Sequence, residues 1–244
     1  MPVSQLNAVE EETRLRDIYE RRKADVPKER YSYFNASNLL SIQERERRVL
    51  ALLARHAKAS LDEMKILEVG CGTGFWLREF IKWGAHPENL VGIDLLEDRI
   101  EECKRLCPSG VKVDRGNATS IDSPDEKFDV VLQSTVFSSI LDAATRRQVA
   151  NEMVRVLRPR GIILWYDFFV NNPNNPDVRG IGGSEICVLF PKCNVTSSRM
   201  TLAPPLARLL APHARIICDV LAGLRILDTH LLAVISKLPQ TKAN

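Results

Sequence analysis

The hydrophobic positions of the chain follow two different patterns. Over residues 4–30 and about 37–58, apolar side chains recur at helical spacing among many charges, which predicts two N-terminal helices joined by the aromatic segment 31–35. From residue 65 onward, short apolar runs alternate with helical stretches. Strands are predicted at 66–69, 90–93, 111–113, 128–132 and 162–166, and helices at 75–84, 97–107 and 143–157. Strands that alternate with helices form parallel sheets through crossover connections.

The last third of the chain departs from this alternation. A loop at 171–183 is rich in Asn, Pro and Gly and is long for a plain connection, which favours a binding role. It precedes a strand at 195–202, an apolar helical segment at 204–224 and a final strand at 230–236. We expect a Rossmann-like, doubly wound α/β sheet, mostly parallel, with an antiparallel last strand, N-terminal helices and a C-terminal helical insertion. Residues 1–60 are predicted to form a helical lid on a domain at 61–244, in which 171–228 covers the substrate.

The charge, the cysteines and the apolar stretches of the chain disfavour several classes of function. The formal net charge is +3, and acidic residues are interleaved with the basic ones, so no nucleic-acid partner is expected. The six cysteines form no CxxC pair, which favours reduced thiols over a disulfide framework, and no cluster of residues has the spacing of a metal site. The N-terminus lacks a basic region followed by an apolar run, and no long uninterrupted apolar stretch occurs. We therefore expect a soluble, cytoplasmic protein without a metal.

The strongest motif is the glycine-rich segment Glu68-Val-Gly-Cys-Gly-Thr-Gly74, which follows the first predicted strand and opens a helix. Glycines at 70, 72 and 74 let the backbone approach a ligand closely, and the N–H groups of the following helix face the same space. Nicotinamide-binding turns use the same physics with the spacing GxGxxG, whereas the spacing here is GxGxG.

Asp94 ends the second predicted strand, twenty residues after Gly74. A carboxylate at this point can accept hydrogen bonds from both hydroxyls of a ribose. Because Asp94 also precedes a predicted helix, it can instead be an N-cap residue. The glycine loop at a matching distance favours the ribose role.

Together, the glycine loop, Asp94 and the strand–helix pattern up to about residue 170 resemble the class I S-adenosylmethionine-dependent methyltransferases. The resemblance implies a methyl transfer that leaves S-adenosylhomocysteine. It also implies that the glycine loop contacts the amino-acid part of the cofactor, that Asp94 holds the ribose, and that the segment after the third strand flanks the adenine. The end of the fourth strand then faces the transferable methyl. The implied cofactor-binding residues are Glu68, Gly70, Cys71, Gly72, Gly74, Asp94, Leu95, Asn117, Ala118 and Gln133.

The acceptor is less well indicated. Nucleic-acid amino methyltransferases of this fold carry an Asp/Asn-Pro-Pro-aromatic sequence after the fourth strand, where this chain has Gln133-Ser-Thr-Val-Phe137. The tail from Asp167 resembles methyltransferases of bacterial glycan or secondary-metabolite pathways. A hydroxyl of a sugar or secondary metabolite is therefore the expected acceptor. An RNA or protein methyltransferase, and a non-catalytic cofactor-binding partner subunit, stay open as alternatives.

An alcohol acceptor needs a group that accepts its proton. Asp167, after the fifth strand, is the candidate catalytic base, with a turn or cap acid as the alternative. Tyr33, in the aromatic segment, is a candidate substrate contact that folds over the cofactor, and Arg179 is either an anion-binding residue or a surface charge. The expected partner is a small molecule, and contact with a membrane surface and a homodimer stay open.

Overall fold

The protein is described by a computed structural model over residues 8–25, 27–56, 60–173 and 175–239. Some sequence predictions lie partly outside these ranges. They are residues 4–7 and 26 of the predicted first helix, residues 57–58 of the second and residue 174 of the long loop. The first seven residues, for which no leader is expected, also lie outside these ranges.

Eight α-helices and seven β-strands occur within the described ranges. The helices are α1 (Ala8–Asp25), α2 (Ala36–His56), α3 (Phe75–Lys82), α4 (Glu97–Leu106), α5 (Ala143–Val156), α6 (Gly183–Leu189), α7 (Pro204–Leu210) and α8 (Arg215–Leu224). The strands are β1 (Ile66–Val69), β2 (Leu90–Asp94), β3 (Lys112–Arg115), β4 (Phe128–Ser134), β5 (Leu157–Phe168), β6 (Cys193–Leu202) and β7 (Asp228–Lys237).

The seven strands form one sheet in the order β3-β2-β1-β4-β5-β7-β6. The first five are mutually parallel, whereas β7 runs antiparallel to both β5 and β6. This confirms the predicted Rossmann-like, mostly parallel sheet with its antiparallel last strand. Chain order reverses between β1 and β4, and such a switch point opens a crevice at the carboxyl ends of the strands.

Two elements differ from the sequence prediction. Strand β5 begins at Leu157 instead of residue 162, and it continues through Pro159 and Gly161 while its pairing with β4 shifts register between Phe128 and Val130. The predicted helical segment at 204–224 is two helices, α7 and α8. Pro212 lies between them, and a proline cannot supply the N–H that a continuous helix would need there.

The two N-terminal helices pack in different core clusters. Leu15 of α1 belongs to the cluster that contains residues of α5 and α6, such as Met153 and Ile186. Val49 of α2 belongs to the cluster that contains Leu77 of α3. The domain boundary at residue 60 stays a prediction, but α1 and α2 do not share one packing site as a single lid would.

None of the helices in the described ranges is long and apolar enough to cross a membrane.

Candidate functional site

The glycine loop between β1 and α3 has the backbone that its sequence predicts. Gly70, Gly72 and Gly74 all have positive φ, at 68°, 52° and 74°, which residues with a Cβ adopt only at a cost. The N–H groups of Gly70 and Cys71 both donate to the carbonyl oxygen of Ile93, at 2.8 and 3.0 Å. These bonds attach the loop to the end of β2, so the two predicted cofactor segments are held together.

Asp94 holds the loop from the other side. Its Oδ2 accepts a hydrogen bond from the Gly72 N–H at 2.9 Å, and its Oδ1 accepts one from the Leu96 N–H at 3.0 Å. Burial raises the pKa of Asp94, although the bonds from Leu96 and Gly72 act in the opposite direction. Each carboxylate oxygen has a second lone pair, so Asp94 can still accept hydrogen bonds from a ligand.

A cavity of about 260 Å³ lies against this loop, at the switch point of the sheet. Six of the predicted cofactor-binding residues line it: Gly70, Gly72, Asp94, Leu95, Asn117 and Ala118. A Cβ built on Gly72 would meet no heavy atom within 4 Å, so this glycine faces open space. The loop therefore forms one wall of the cavity.

The other four predicted cofactor residues lie behind the wall. Glu68 is buried, and burial raises its pKa well above the ordinary value. Cys71 is also buried, and a Cβ on Gly74 would approach the thiols of Cys103 and Cys107 to 2.5 and 2.7 Å. Gln133 is fully buried, and its Oε1 accepts the Val136 N–H at 3.1 Å. The structure thus gives these residues supporting positions behind the cavity surface.

Helix α1 provides a wall that the sequence prediction missed. Glu11, Glu12, Leu15 and Tyr19 line the cavity, and their spacing places them along one side of the helix. The sequence predicts a helical lid over residues 1–60 but names only Tyr33 as its contact, and none of these four residues. The four-residue steps from Glu11 to Leu15 and Tyr19 were the available signal.

Glu11 attaches α1 to the body of the protein. Its carboxylate accepts hydrogen bonds from Arg14 at 2.8 Å and from the Leu141 N–H at 2.6 Å. Burial alone would raise the pKa of Glu11, but the bonds from Arg14, Leu141 and Asp142 bring it below the ordinary value. Farther along the cavity, Glu12 Oε2 accepts a bond from Asn117 Nδ2 at 3.1 Å. Hydrogen bonds at Glu11 and Glu12 therefore hold the helix against the cavity at two points.

The end of β4 forms the opposite part of the cavity. Thr135 lines it with φ +58°, a conformation that is unusual for a β-branched residue. The Thr135 N–H donates to the Tyr166 carbonyl oxygen at 2.8 Å, which holds this backbone in place. Ser139 also lines the cavity, and its Oγ is 3.4 Å from the Tyr19 hydroxyl. Hydroxyl groups and apolar side chains thus share this end.

Asp167, the candidate base, is fully buried and is not among the residues that line the cavity. Its Oδ2 accepts the Ser138 N–H at 3.1 Å, and its Oδ1 accepts the Phe168 N–H at 2.8 Å. Burial raises the pKa of Asp167 to about 6, against the effect of these hydrogen bonds. In this conformation Asp167 positions the turn at Ser138, next to the cavity residue Ser139.

Neither candidate substrate residue lies at the cavity. Tyr33 is 54% exposed, in the segment before α2. The Arg179 side chain forms an ion pair with Glu185, and the Arg179 backbone N–H donates to the Ser138 carbonyl oxygen at 2.8 Å. Tyr33 and Arg179 therefore do not line the cavity, and their contacts with a substrate stay predictions.

Among the described residues, no histidine lines the cavity. His230 is buried, stacks on Tyr166 with ring centroids 4.7 Å apart, and has its pKa lowered to about 3 by burial. It is not part of the cavity wall. Over the described ranges, no group of three or more His, Cys, Asp or Glu side chains is arranged to hold a metal ion.

The cavity suits an adenosine-containing cofactor in three respects. The open Gly72 leaves room for a ligand to lie against the backbone, and Asp94 offers a carboxylate for hydroxyl groups at the same place. Leu15, Ile93, Leu95 and Ala118 provide the apolar surfaces that an aromatic base requires.

Comparison with known proteins agrees with this geometry. Residues 66–161 match a family model described as a methyltransferase domain. The chain is 37% identical over 116 residues to the phthiotriol/phenolphthiotriol dimycocerosates methyltransferase of Mycobacterium tuberculosis, which covers 47% of this chain and 42% of that protein. It is 37% identical over 117 residues to the fatty-acid O-methyltransferase of Mycolicibacterium smegmatis, covering 46% and 39%. The chain thus matches about two fifths of the length of these relatives.

Solved structures share the fold at low sequence identity. A SAM-dependent methyltransferase from Thermotoga maritima aligns with a TM-score of 0.62 and 17% identity, over 91% of this chain and 99% of that one. A [4+2]-cyclase aligns with a TM-score of 0.56 and 15% identity, over 78% and 80%. The fold alone therefore does not establish the reaction. Residues 66–161 therefore match a methyltransferase-domain family, and the whole sheet has the Rossmann-like fold of the S-adenosylmethionine-dependent methyltransferases among these structures.

Proposed function

We propose that the protein binds S-adenosylmethionine in the cavity between the glycine loop and α1 and transfers its methyl group to a small molecule. The observation that carries this proposal is the bond between the Asp94 carboxylate and the Gly72 N–H inside the cavity wall. In this assignment Asp94 accepts hydrogen bonds from the ribose, and the backbone at Gly70 and Gly72 lies along the amino-acid part. Leu95, Asn117 and Ala118 surround the adenine.

The supporting residues then have defined tasks. Glu68 and Cys71 belong to the buried side of the glycine loop, Gly74 is one of its three positive-φ residues, and Gln133 fixes the segment after β4 through the Val136 N–H. The bound cofactor would supply a methyl group that is already activated by the sulfonium. The protein therefore mainly has to orient the acceptor and exclude water. Helix α1 covers the cavity with Leu15 and Tyr19 and serves the second task.

The acceptor is proposed to be an oxygen of a small, largely apolar molecule. The end of the cavity near β4 combines the hydroxyl groups of Tyr19, Thr135 and Ser139 with apolar side chains such as Val136 and Ile140. Such a wall can hydrogen-bond one polar group and pack against the remainder of an acceptor. The named activities of the relatives, on dimycocerosates and on a fatty acid, are in line with an apolar acceptor.

Two oxygen acceptors make different demands on the site. A hydroxyl must lose a proton, and a base role for Asp167 would require the turn at Ser138 to move, since both Asp167 oxygens now accept backbone N–H bonds. A carboxylate is already ionised at neutral pH and needs no base. Besides Asp94, the cavity wall holds two carboxylates, and both are engaged: Glu11 by Arg14 and the Leu141 N–H, and Glu12 by Arg16 and Asn117. This observation favours a carboxylate as the second candidate.

Turnover with defined acceptors tests the proposal. The full chain is incubated with S-adenosylmethionine and, separately, a long-chain fatty acid, a sterol, a phenol and a nucleotide sugar. Release of S-adenosylhomocysteine and addition of one CH₂ mass to the acceptor are measured.

A rate for the phenol or sugar that follows an ionisation near the pKa of Asp167, and that Asp167→Asn removes, supports the hydroxyl route. A pH-independent rate with the fatty acid supports the carboxylate route. Tight cofactor binding without product from any acceptor would instead favour a non-catalytic partner subunit.

A further inference from the structure

Helices α7 and α8 present an apolar surface to solvent. Ile216 is 79% exposed and Leu224 is 59% exposed, both on α8, and Ile226, just after the helix, is 72% exposed. We define the α7–α8 face by the exposed apolar side chains of this segment: Leu209, Ile216, Ile217, Val220, Leu224, Ile226 and Leu227. Single exposed apolar residues are ordinary on protein surfaces, but a contiguous group of this kind marks an interaction site.

Helical spacing shows that α8 is apolar on two sides. Cys218 is fully buried and faces the cluster formed with Leu40 of α2, with Leu221 packed against it. Ile216, Val220 and Leu224 follow at steps of four and form a second line on the solvent side. A helix that is apolar around most of its circumference is expected inside a protein or against a membrane. The inner side is covered by the protein, and the outer side is exposed.

The charges around the face are mainly positive. Residues 204–227 contain three arginines, Arg208, Arg215 and Arg225, and one acid, Asp219. Arg215 donates to the Gln43 side chain at 2.6 Å, while its nearest approach to Asp219 is 4.0 Å. Arginines beside exposed apolar side chains complement anionic lipid headgroups above an apolar layer. A second copy of the chain would bring like charges together at this face, which disfavours self-association there.

The α7–α8 face lies at the same edge of the sheet as the cavity. The two helices link the end of β6, at Leu202, to the start of β7, at Asp228, and these two residues pair across the strands. Phe168, at the carboxyl end of β5, pairs with His230 near the same end of β7. The α7–α8 face therefore lies along the edge of the sheet where β1 and β4 end and where the cavity opens.

We propose that the α7–α8 face docks on the surface of an anionic lipid bilayer. Its apolar side chains enter the boundary between headgroups and acyl chains, and Arg208, Arg215 and Arg225 contact the lipid phosphates. The docking surface is separate from the cofactor cavity and is independent of which acceptor the cavity takes.

Vesicle co-sedimentation of the full chain tests this proposal. One set of vesicles contains phosphatidylcholine and phosphatidylglycerol, and the other contains phosphatidylcholine alone. The wild-type protein is expected to bind the mixed vesicles, less tightly at high salt because screening weakens the charge contribution. The double variant Ile216→Ser/Leu224→Ser should bind more than tenfold less tightly, since two apolar side chains no longer enter the bilayer. Arg208→Gln/Arg225→Gln should lose about tenfold on the mixed vesicles only.

Val188→Ser on α6 is the matched control, because Val188 is 71% exposed but lies outside the face. It should bind the mixed vesicles as the wild type does. Unfolding temperatures establish that each variant is folded, and the arginine pair tests the face independently should the apolar pair fail to fold. The proposal is overturned if the wild type does not bind mixed vesicles, or if the apolar pair binds undiminished. A solution dimer that the apolar pair dissociates would assign the face to a second copy and overturn it too.

Discussion

The Asp94 carboxylate accepts a hydrogen bond from the Gly72 N–H at 2.9 Å, which joins the end of β2 to the middle of the glycine loop. The same carboxylate accepts the Leu96 N–H at the start of α4. Asp94 therefore acts both as a structural anchor for the loop and as the residue available to a ribose. The alternative that Asp94 is the N-cap of α4 is wrong, because Leu96 occupies that position without a side-chain cap, whereas the ribose role of Asp94 stays a prediction.

Replacing Asp94 should weaken cofactor binding strongly. Asp94→Ala removes the anchor of Gly72 together with the proposed ribose bonds, and hydrogen bonds to a charged group contribute roughly 1.5–3 kcal/mol each. We expect S-adenosylhomocysteine to bind at least about tenfold more weakly, as measured by calorimetry. Asp114→Ala is the control, because Asp114 lies one residue before the end of β3 and does not line the cavity. Undiminished binding by Asp94→Ala would refute the ribose assignment.

Two glycine variants should distinguish an effect on cofactor affinity from an effect on the stability of the fold. Gly72→Ala places a methyl group in open space at φ +52°, so it should reduce cofactor affinity and lower the free energy of unfolding by only about 1 kcal/mol. Gly74→Ala forces a Cβ to within 2.5 Å of the Cys103 thiol and should lower the free energy of unfolding by more than about 2 kcal/mol. Urea unfolding of both variants checks this order. Equal losses of stability would contradict the cavity geometry.

Asp167 should make stability depend on pH. Burial raises its pKa from 3.8 to about 6, so between these values the folded protein keeps a proton that the unfolded chain has released. The free energy of unfolding contributed by this group is therefore full below about pH 4, falls as pH rises, and levels off above about pH 6. The whole change is at most about 3 kcal/mol. Asp167→Asn should lack this fall, and parallel pH curves for wild type and variant would contradict it.

Helix α1 should become protected when the cofactor site is filled. Because Glu11, Leu15 and Tyr19 line the cavity, a bound ligand adds contacts to the inner side of the helix. Hydrogen–deuterium exchange over Ala8–Asp25 should slow at saturating S-adenosylhomocysteine, whereas exchange in α8, none of whose residues lines the cavity, should not change. Equal exchange in α1 with and without ligand would show that α1 does not cover the site.

The central sheet and the glycine loop could be predicted from the sequence because their signals are local. The apolar strand Ile66–Val69, the GxGxG spacing and Asp94 after the next strand each specify backbone geometry within a few residues. Parallel crossover rules then fix how the strands lie together. Six of the ten predicted cofactor residues consequently line the cavity.

The covering elements could not be predicted in the same way, because their positions depend on contacts distant in sequence. Helix α1 lies over the cavity through the bond from the Leu141 N–H to Glu11, across 130 residues. Tyr33 had the aromatic character of a lid residue, and Arg179 the charge of an anion-binding one. The surroundings of the two residues, solvent for Tyr33 and Glu185 for Arg179, depend on the folded chain and not on the local sequence.

Calorimetric titration of the wild-type protein with S-adenosylmethionine and with S-adenosylhomocysteine tests whether the cavity binds the cofactor. We expect both ligands to bind at a single site and to compete with each other, because both carry the adenosine that Asp94, Leu95, Asn117 and Ala118 are proposed to hold. If a folded wild-type protein binds neither ligand, the assignment of the cavity as the cofactor site is wrong.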